Sequence, residues 1–168
     1  MWADRLSPRE LVILSLLTAL AFGSKVAMSF LPNIHLVAVL LILITLRFGA
    51  NAFYSAILYT MLEGLVYGFG IWWVSYLYIW PLLVLCALPL RKGKHRVLLS
   101  LLAAVHGFLF GALCAIPYAI AGGPHAGIAY WVAGIPYDLI HGASNFILCM
   151  LLLPPLDRLM GRLWGHGS

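Results

Sequence analysis

The chain has 168 residues, of which 64% are hydrophobic and 9% charged, with a mean hydropathy of +1.02 and a formal net charge of +5. That leaves too little polar surface to coat a soluble globule, so lipid must be much of the solvent, and no length remains for a soluble catalytic domain beside the spans. Cys86, Cys114 and Cys149 stand in separate apolar runs without C-x-x-C spacing, which argues against a zinc or redox site, and the basic excess reports topology rather than nucleic-acid binding.

Apolar runs separated by short polar or Gly/Pro-rich joints predict an all-α membrane protein, a six-transmembrane-helix bundle in a single domain. The helices are expected at about 9–30, 35–47, 51–69, 73–90, 97–121 and 136–153, with a short amphipathic tail over 156–164. The first run is too long for a removable signal peptide and lacks a small-residue cleavage pattern. Along it Ser15, Ala19, Gly23 and Ala27 recur every four residues, a small-residue ridge that lets another helix approach closely, within the bundle or from a partner. Lys25 is two residues from both Gly23 and Ala27 and so points away from that ridge, where it either snorkels to headgroups or lines a site.

The second run, Leu36–Leu46, makes only about 17 Å of helix against roughly 30 Å of hydrocarbon. Either the bilayer thins, or the helix begins earlier, or the Leu31–His35 joint dips and carries Asn33 and His35 over an outer cavity. On the third helix Tyr59, Glu63 and Tyr67 share one face, and Glu63, being mid-helix, needs a partner or a proton. Trp72, Tyr76 and Trp80 form a stripe on the fourth, suited to an interfacial belt or to stacking on a flat ligand. His106 on the fifth reads as a core histidine. On the sixth, Asp138, His141 and Asn145 make a polar stripe facing the interior, serving interhelical hydrogen bonds or a site. Asp138 follows Pro136 by two residues, so it also suits a helix start, where a carboxylate complements the dipole.

The positive-inside rule orients this bundle with both termini cytoplasmic. Arg5, Arg9, Arg47, the Arg91–Arg96 loop, Arg158 and Arg162 then fall inside, leaving Lys25 as the one exception among ten basic residues. The three outer connections, around Pro32-Asn33, Phe69–Trp73 and Gly122–Gly134, carry no Lys or Arg. Lys25, Glu63 and Asp138 all fall in the outer half, which predicts one external site holding a cation and two carboxylates.

The six-helix layout, the Ala19/Gly23/Ala27 ridge, the Leu31-Pro32-Asn33-Ile34-His35 joint and the Leu62–Gly70 stretch leading to Trp72-Trp73 resemble the substrate-binding S components of energy-coupling factor (ECF) transporters, prokaryotic vitamin importers. In that family the ridge docks on a transmembrane coupling subunit, the first, third and fifth connections cap an externally open site, and two cytosolic ATPases drive the complex. The resemblance implies a multi-pass protein of a prokaryotic plasma membrane with no enzymatic activity and no cofactor of its own, ATP being used by the partner subunits. Consistent with this, the sequence contains no G-x-x-x-x-G-K-[ST] phosphate loop. Lys25, Asn33, His35, Glu63, Tyr67, Trp72, Tyr76, Trp80, Asp138 and His141 are the candidate substrate contacts, and Ser15, Ala19, Gly23 and Ala27 the candidate partner contacts. An aromatic cavity with one Lys and two carboxylates suits a small flat heterocycle, a vitamin or its precursor; a corrinoid or a tryptophan-like amine stays open. The alternative class is an intramembrane metal-dependent hydrolase of the CAAX-protease type built on Glu63, His106 and His141, for which the sequence offers no H-E-x-x-H, Glu-Glu pair or G-x-S-x-G.

Overall fold

A computed structural model describes residues 6–93 and 95–164. Among them there is no strand, and seven α-helices follow in order: α1 Pro8–Ala27, α2 Val37–Phe48, α3 Ala52–Tyr67, α4 Ile71–Ala87, α5 Arg96–Phe108, α6 Phe110–Gly122 and α7 Pro124–Trp164. Short 3-10 turns, Gly49–Asn51 and Leu88–Leu90, close α2 and α4. Five helical stretches are long and apolar enough to cross a membrane: Pro8–Ala27, Val37–Tyr67, Ile71–Leu90, Arg96–Gly122 and Pro124–Arg162. The protein is a multi-pass membrane protein. Its surface agrees, since large apolar side chains such as Leu16, Phe30, Leu65, Ile120 and Leu151 are more than 60% exposed.

Helix α1 starts at a capping box, in which the Ser7 side chain takes the Glu10 N–H and Glu10 returns to the Ser7 N–H. Its inner stripe is Leu14, Thr18, Ala21 and Lys25, and it runs parallel to α3: Thr18 meets Ser55 at 2.9 Å, Phe22 the ring of Tyr59, and Lys25 the carboxylate of Glu63. Helix α2 is buried on every side from Val37 to Leu46, which an all-apolar helix requires, and forms the axis of the bundle. It runs with α4, His35 lying against Trp80 at one end and Arg47 beside Arg91 at the other. Helix α3 runs against α4, with Trp73 donating to the Thr60 carbonyl at 2.8 Å. The Val37–Tyr67 stretch therefore turns back on itself at Gly49, whose φ of +58° is left-handed and cheap only for glycine. Arg91 packs over that turn and donates to the Leu46 and Arg47 carbonyls at 3.1 and 3.2 Å, satisfying groups that α2 leaves open at its end. Arg47 in turn pairs with Asp157 of α7. Arg5 and Lys94, counted above with the basic flanks, lie outside the described residues.

Three expectations fail. The fifth helix is not continuous over 97–121 but breaks at Leu109 into α5 and α6. The last outer connection, expected to run over Gly122–Gly134, shrinks to Gly123 with φ +83°, so residues 124–135 are helical and the sixth helix begins twelve residues early. The tail over 156–164 is not separate either; it is the last turns of α7. The cause is pairing between α6 and α7. Tyr118 stacks on Tyr130 at 4.1 Å, and Gly127 lies so close to Ala119 that a Cβ there would come within 2.6 Å of it. Pro136 thus sits inside a helix, as membrane helices tolerate, rather than at its first turn.

Candidate functional site

The chain between α1 and α2 supplies the first wall of the site. Asn33 adopts φ +56°, and its carbonyl accepts a hydrogen bond from Ser144 of α7 at 3.3 Å, which pins the joint against the middle of that helix. Below it lies a layer of rings contributed by five segments: His35, Tyr59, Trp80, His106 and His141. Ring centroids are 5.1 Å apart for His35–His141, 5.3 Å for Tyr59–Trp80 and 5.5 Å for Trp80–His106. His106 is held by the Ile79 carbonyl oxygen, 3.2 Å from its Nε2. Both ring nitrogens of His141, Nδ1 of His35 and Nε1 of Trp80 are buried without a hydrogen-bonding partner among the described residues. Asn145, continuing the polar stripe, donates to the Ala103 carbonyl at 3.3 Å and so ties α7 to α5.

Above the layer opens a cavity of about 520 Å³ at the end of α4 remote from Arg47 and Arg91. Its walls are Asn33, Trp72 and Tyr76, then Phe110, Gly111 and Cys114 of α6, and Tyr130, Ala133, Gly134, Tyr137 and Asp138 of α7. Phe110 is the partition between cavity and layer, touching Tyr76 on one side and His141, at 4.9 Å, on the other. Asp138 is buried about four turns into α7, which removes the reading that placed it at a helix start. Its real partner is a helix start of another kind. A continuous helix would direct the Gly111 N–H to the Gly107 carbonyl, but past the break at Leu109 that N–H donates to Asp138 Oδ1 at 2.9 Å. The second oxygen, Oδ2, has no hydrogen-bonding partner among the described residues.

The ten candidate contacts thus divide. Asn33, Trp72, Tyr76 and Asp138 line the cavity; His35, Trp80 and His141 belong to the layer beneath it. Lys25, Glu63 and Tyr67 stand behind Tyr76. The Lys25 ammonium pairs with the fully buried Glu63 carboxylate and lies 4.9 Å from the Tyr67 ring centre and 5.7 Å from that of Tyr76. The two carboxylates therefore do not share one pocket. Glu63 is committed to Lys25, while His106 and His141 stand around Phe110, and no group of three His, Cys, Asp or Glu side chains among the described residues could hold a metal ion. Ser15, Ala19, Gly23 and Ala27 are all exposed, and nothing described lies within 4 Å of a Cβ built on Gly23, so the ridge does not serve packing within the bundle.

Seven wall residues lie outside the ten candidate contacts: Tyr130, Ala133, Gly134 and Tyr137 of α7, and Phe110, Gly111 and Cys114 of α6, a helix start that sequence reasoning missed. The signal was present as Gly107-Phe108-Leu109-Phe110-Gly111, a G-x-x-x-G that brings backbones together in lipid. A Cβ on Gly107 would lie 2.7 Å from the Gly142 backbone, and one on Gly111 would lie 2.4 Å from Asp138 Oδ2. Comparisons with protein-family models, with curated proteins and with solved structures find no match.

Proposed function

We propose that this chain is the substrate-specific membrane subunit of an ECF-type importer, capturing a small vitamin-like, heteroaromatic compound from outside the cell. The cavity carries the reading. It is lined by five aromatic rings, has the volume of a small-molecule site, and opens at the end of the bundle away from the Arg47–Arg91–Asp157 cluster. By the positive-inside rule that cluster is cytoplasmic, which makes the cavity external, with six passes counted across the reversal at Gly49 and both termini inside. The exposed ridge of α1 supplies the second half of the reading, a face on which a transmembrane coupling subunit docks. Two cytosolic ATPases then drive release, and this chain itself performs no catalysis and needs no cofactor. The setting is a prokaryotic plasma membrane.

The test is co-purification. Expressed with a coupling subunit and its two ATPases, the wild-type chain should be retained in one complex, and Gly23→Leu should be lost from it while its own thermal unfolding is not lowered, because nothing described lies within 4 Å of a Cβ built there and leucine is the better helix former. A Gly23→Leu chain that binds the other subunits as well as wild type overturns the docking face. Orientation is checked separately with Lys92→Cys: labelling from outside intact cells would invert the molecule and remove the importer reading.

A further inference from the structure

The charge of the site is unevenly divided. Lys25 and Glu63 neutralise one another, and the Tyr76 ring stands between that pair and the cavity. Among the described residues lining the cavity, Asp138 is the only charged side chain. It is 5% exposed, one oxygen is taken by the Gly111 N–H, and the other is unpartnered among the described residues. No described Lys, Arg or His lines the cavity to meet an anion. The walls around the carboxylate are aromatic: Trp72, Tyr76, Phe110, Tyr130 and Tyr137. Aromatic faces carry partial negative charge and attract a cation placed over them, most strongly when water is excluded. A buried carboxylate with one hydrogen bond lacks the compensation that a paired charge would give it.

We propose that the cavity selects a positively charged ligand, a quaternary or protonated nitrogen on a flat ring, with Asp138 Oδ2 as counter-charge and the Trp72 and Tyr76 rings against the cation. This rests on the reading of the cavity as the capture site and narrows its substrate class. An anionic ring of the same size meets an uncompensated carboxylate and no cation. A neutral ring forfeits both the ion pair and the cation–π contacts.

Three probes of one shape make the test: 1-methylnicotinamide, a permanent cation; nicotinamide, neutral; and nicotinate, an anion. Binding to the purified full chain in lipid nanodiscs is followed by thermal shift and calorimetry. The cation should bind at least about tenfold more tightly than the neutral ring, the equivalent of one desolvated cation–π contact, and nicotinate should bind most weakly. Asp138→Asn keeps an oxygen to accept the Gly111 N–H and loses the charge, so it should reduce the preference to about threefold or less. If that variant does not fold, the wild-type series decides alone: equal binding of the three probes, or no binding of the cation, overturns the proposal. A chain that prefers neutral rings yet still co-purifies with the ATPases sinks this inference only. A chain that prefers the cation and never co-purifies sinks the importer reading only.

Discussion

Lys25 and Glu63 form an ion pair inside the membrane, and its two halves are not equivalent. Glu63 is fully buried, whereas the Lys25 side chain keeps 26% exposure and has the Tyr67 and Tyr76 rings beside it. Removing the carboxylate by Glu63→Gln leaves a cation that the tyrosine faces stabilise and that can swing toward headgroups, at a cost of about 1–2 kcal/mol. Removing the cation by Lys25→Met strands a carboxylate with no route to water, at a cost toward about 3–5 kcal/mol. The double variant leaves no charge stranded and should cost about 1 kcal/mol, well below the sum of the two single changes. Equilibrium unfolding in mixed detergent micelles, followed by tryptophan fluorescence, measures all three. Equal single costs that add in the double variant would refute the pairing and its asymmetry together.

The close crossing of α5 and α7 gives a second prediction. Gly107→Ala puts a methyl 2.7 Å from the Gly142 backbone, which cannot yield as a side chain would, so α5 and α7 must separate at a cost of about 1–3 kcal/mol; a variant as stable as wild type in the same unfolding assay would show that the crossing is loose. The reversal at Gly49 gives a third: Gly49→Ala forces a left-handed backbone onto alanine and brings its Cβ 2.7 Å from Arg91 Nη1, so a loss of about 1–2 kcal/mol is expected. The control for both is Gly23→Ala, a helical position with open space around it, where the higher helix propensity of alanine should raise stability by up to about 1 kcal/mol.

What the sequence made legible follows from constraints that lipid enforces strictly. A run of eleven apolar residues pointed to a thinner bilayer, an earlier helix start or a descending joint; the helix does not start earlier than Val37, and the Asn33 carbonyl ahead of it is bonded to Ser144 in the middle of α7. Charge in a span needs a partner or a proton, and of the two Glu63 has a partner, Lys25. What stayed hidden depended on rotation and pairing between helices. The periodicity of α3 puts Glu63 on a face with Tyr59 and Tyr67 but does not say which neighbour that face meets, and Lys25 captured it ahead of any shared site with Asp138. The segment 124–135 was misjudged because Gly and Pro mark turns most reliably where water competes for the backbone. Against α6 the small residues Gly127 and Ala119 instead permit close contact, and the helix continues through Pro136.

The break at Leu109 and the burial of Asp138 are one feature. A carboxylate inside a span is too costly to persist without a donor, and the donor exists only because the helix is interrupted, freeing the Gly111 N–H from its usual carbonyl. Glycine at this position is needed as well, since a side chain there would occupy the place of Asp138 Oδ2. The interruption also turns Phe110 into the partition between the cavity and the histidine layer. Gly111→Ala should therefore act on two readouts at once, displacing the carboxylate and weakening the cation preference of the cavity. An undiminished preference in the Gly111→Ala chain would mean that Asp138 is not the counter-charge.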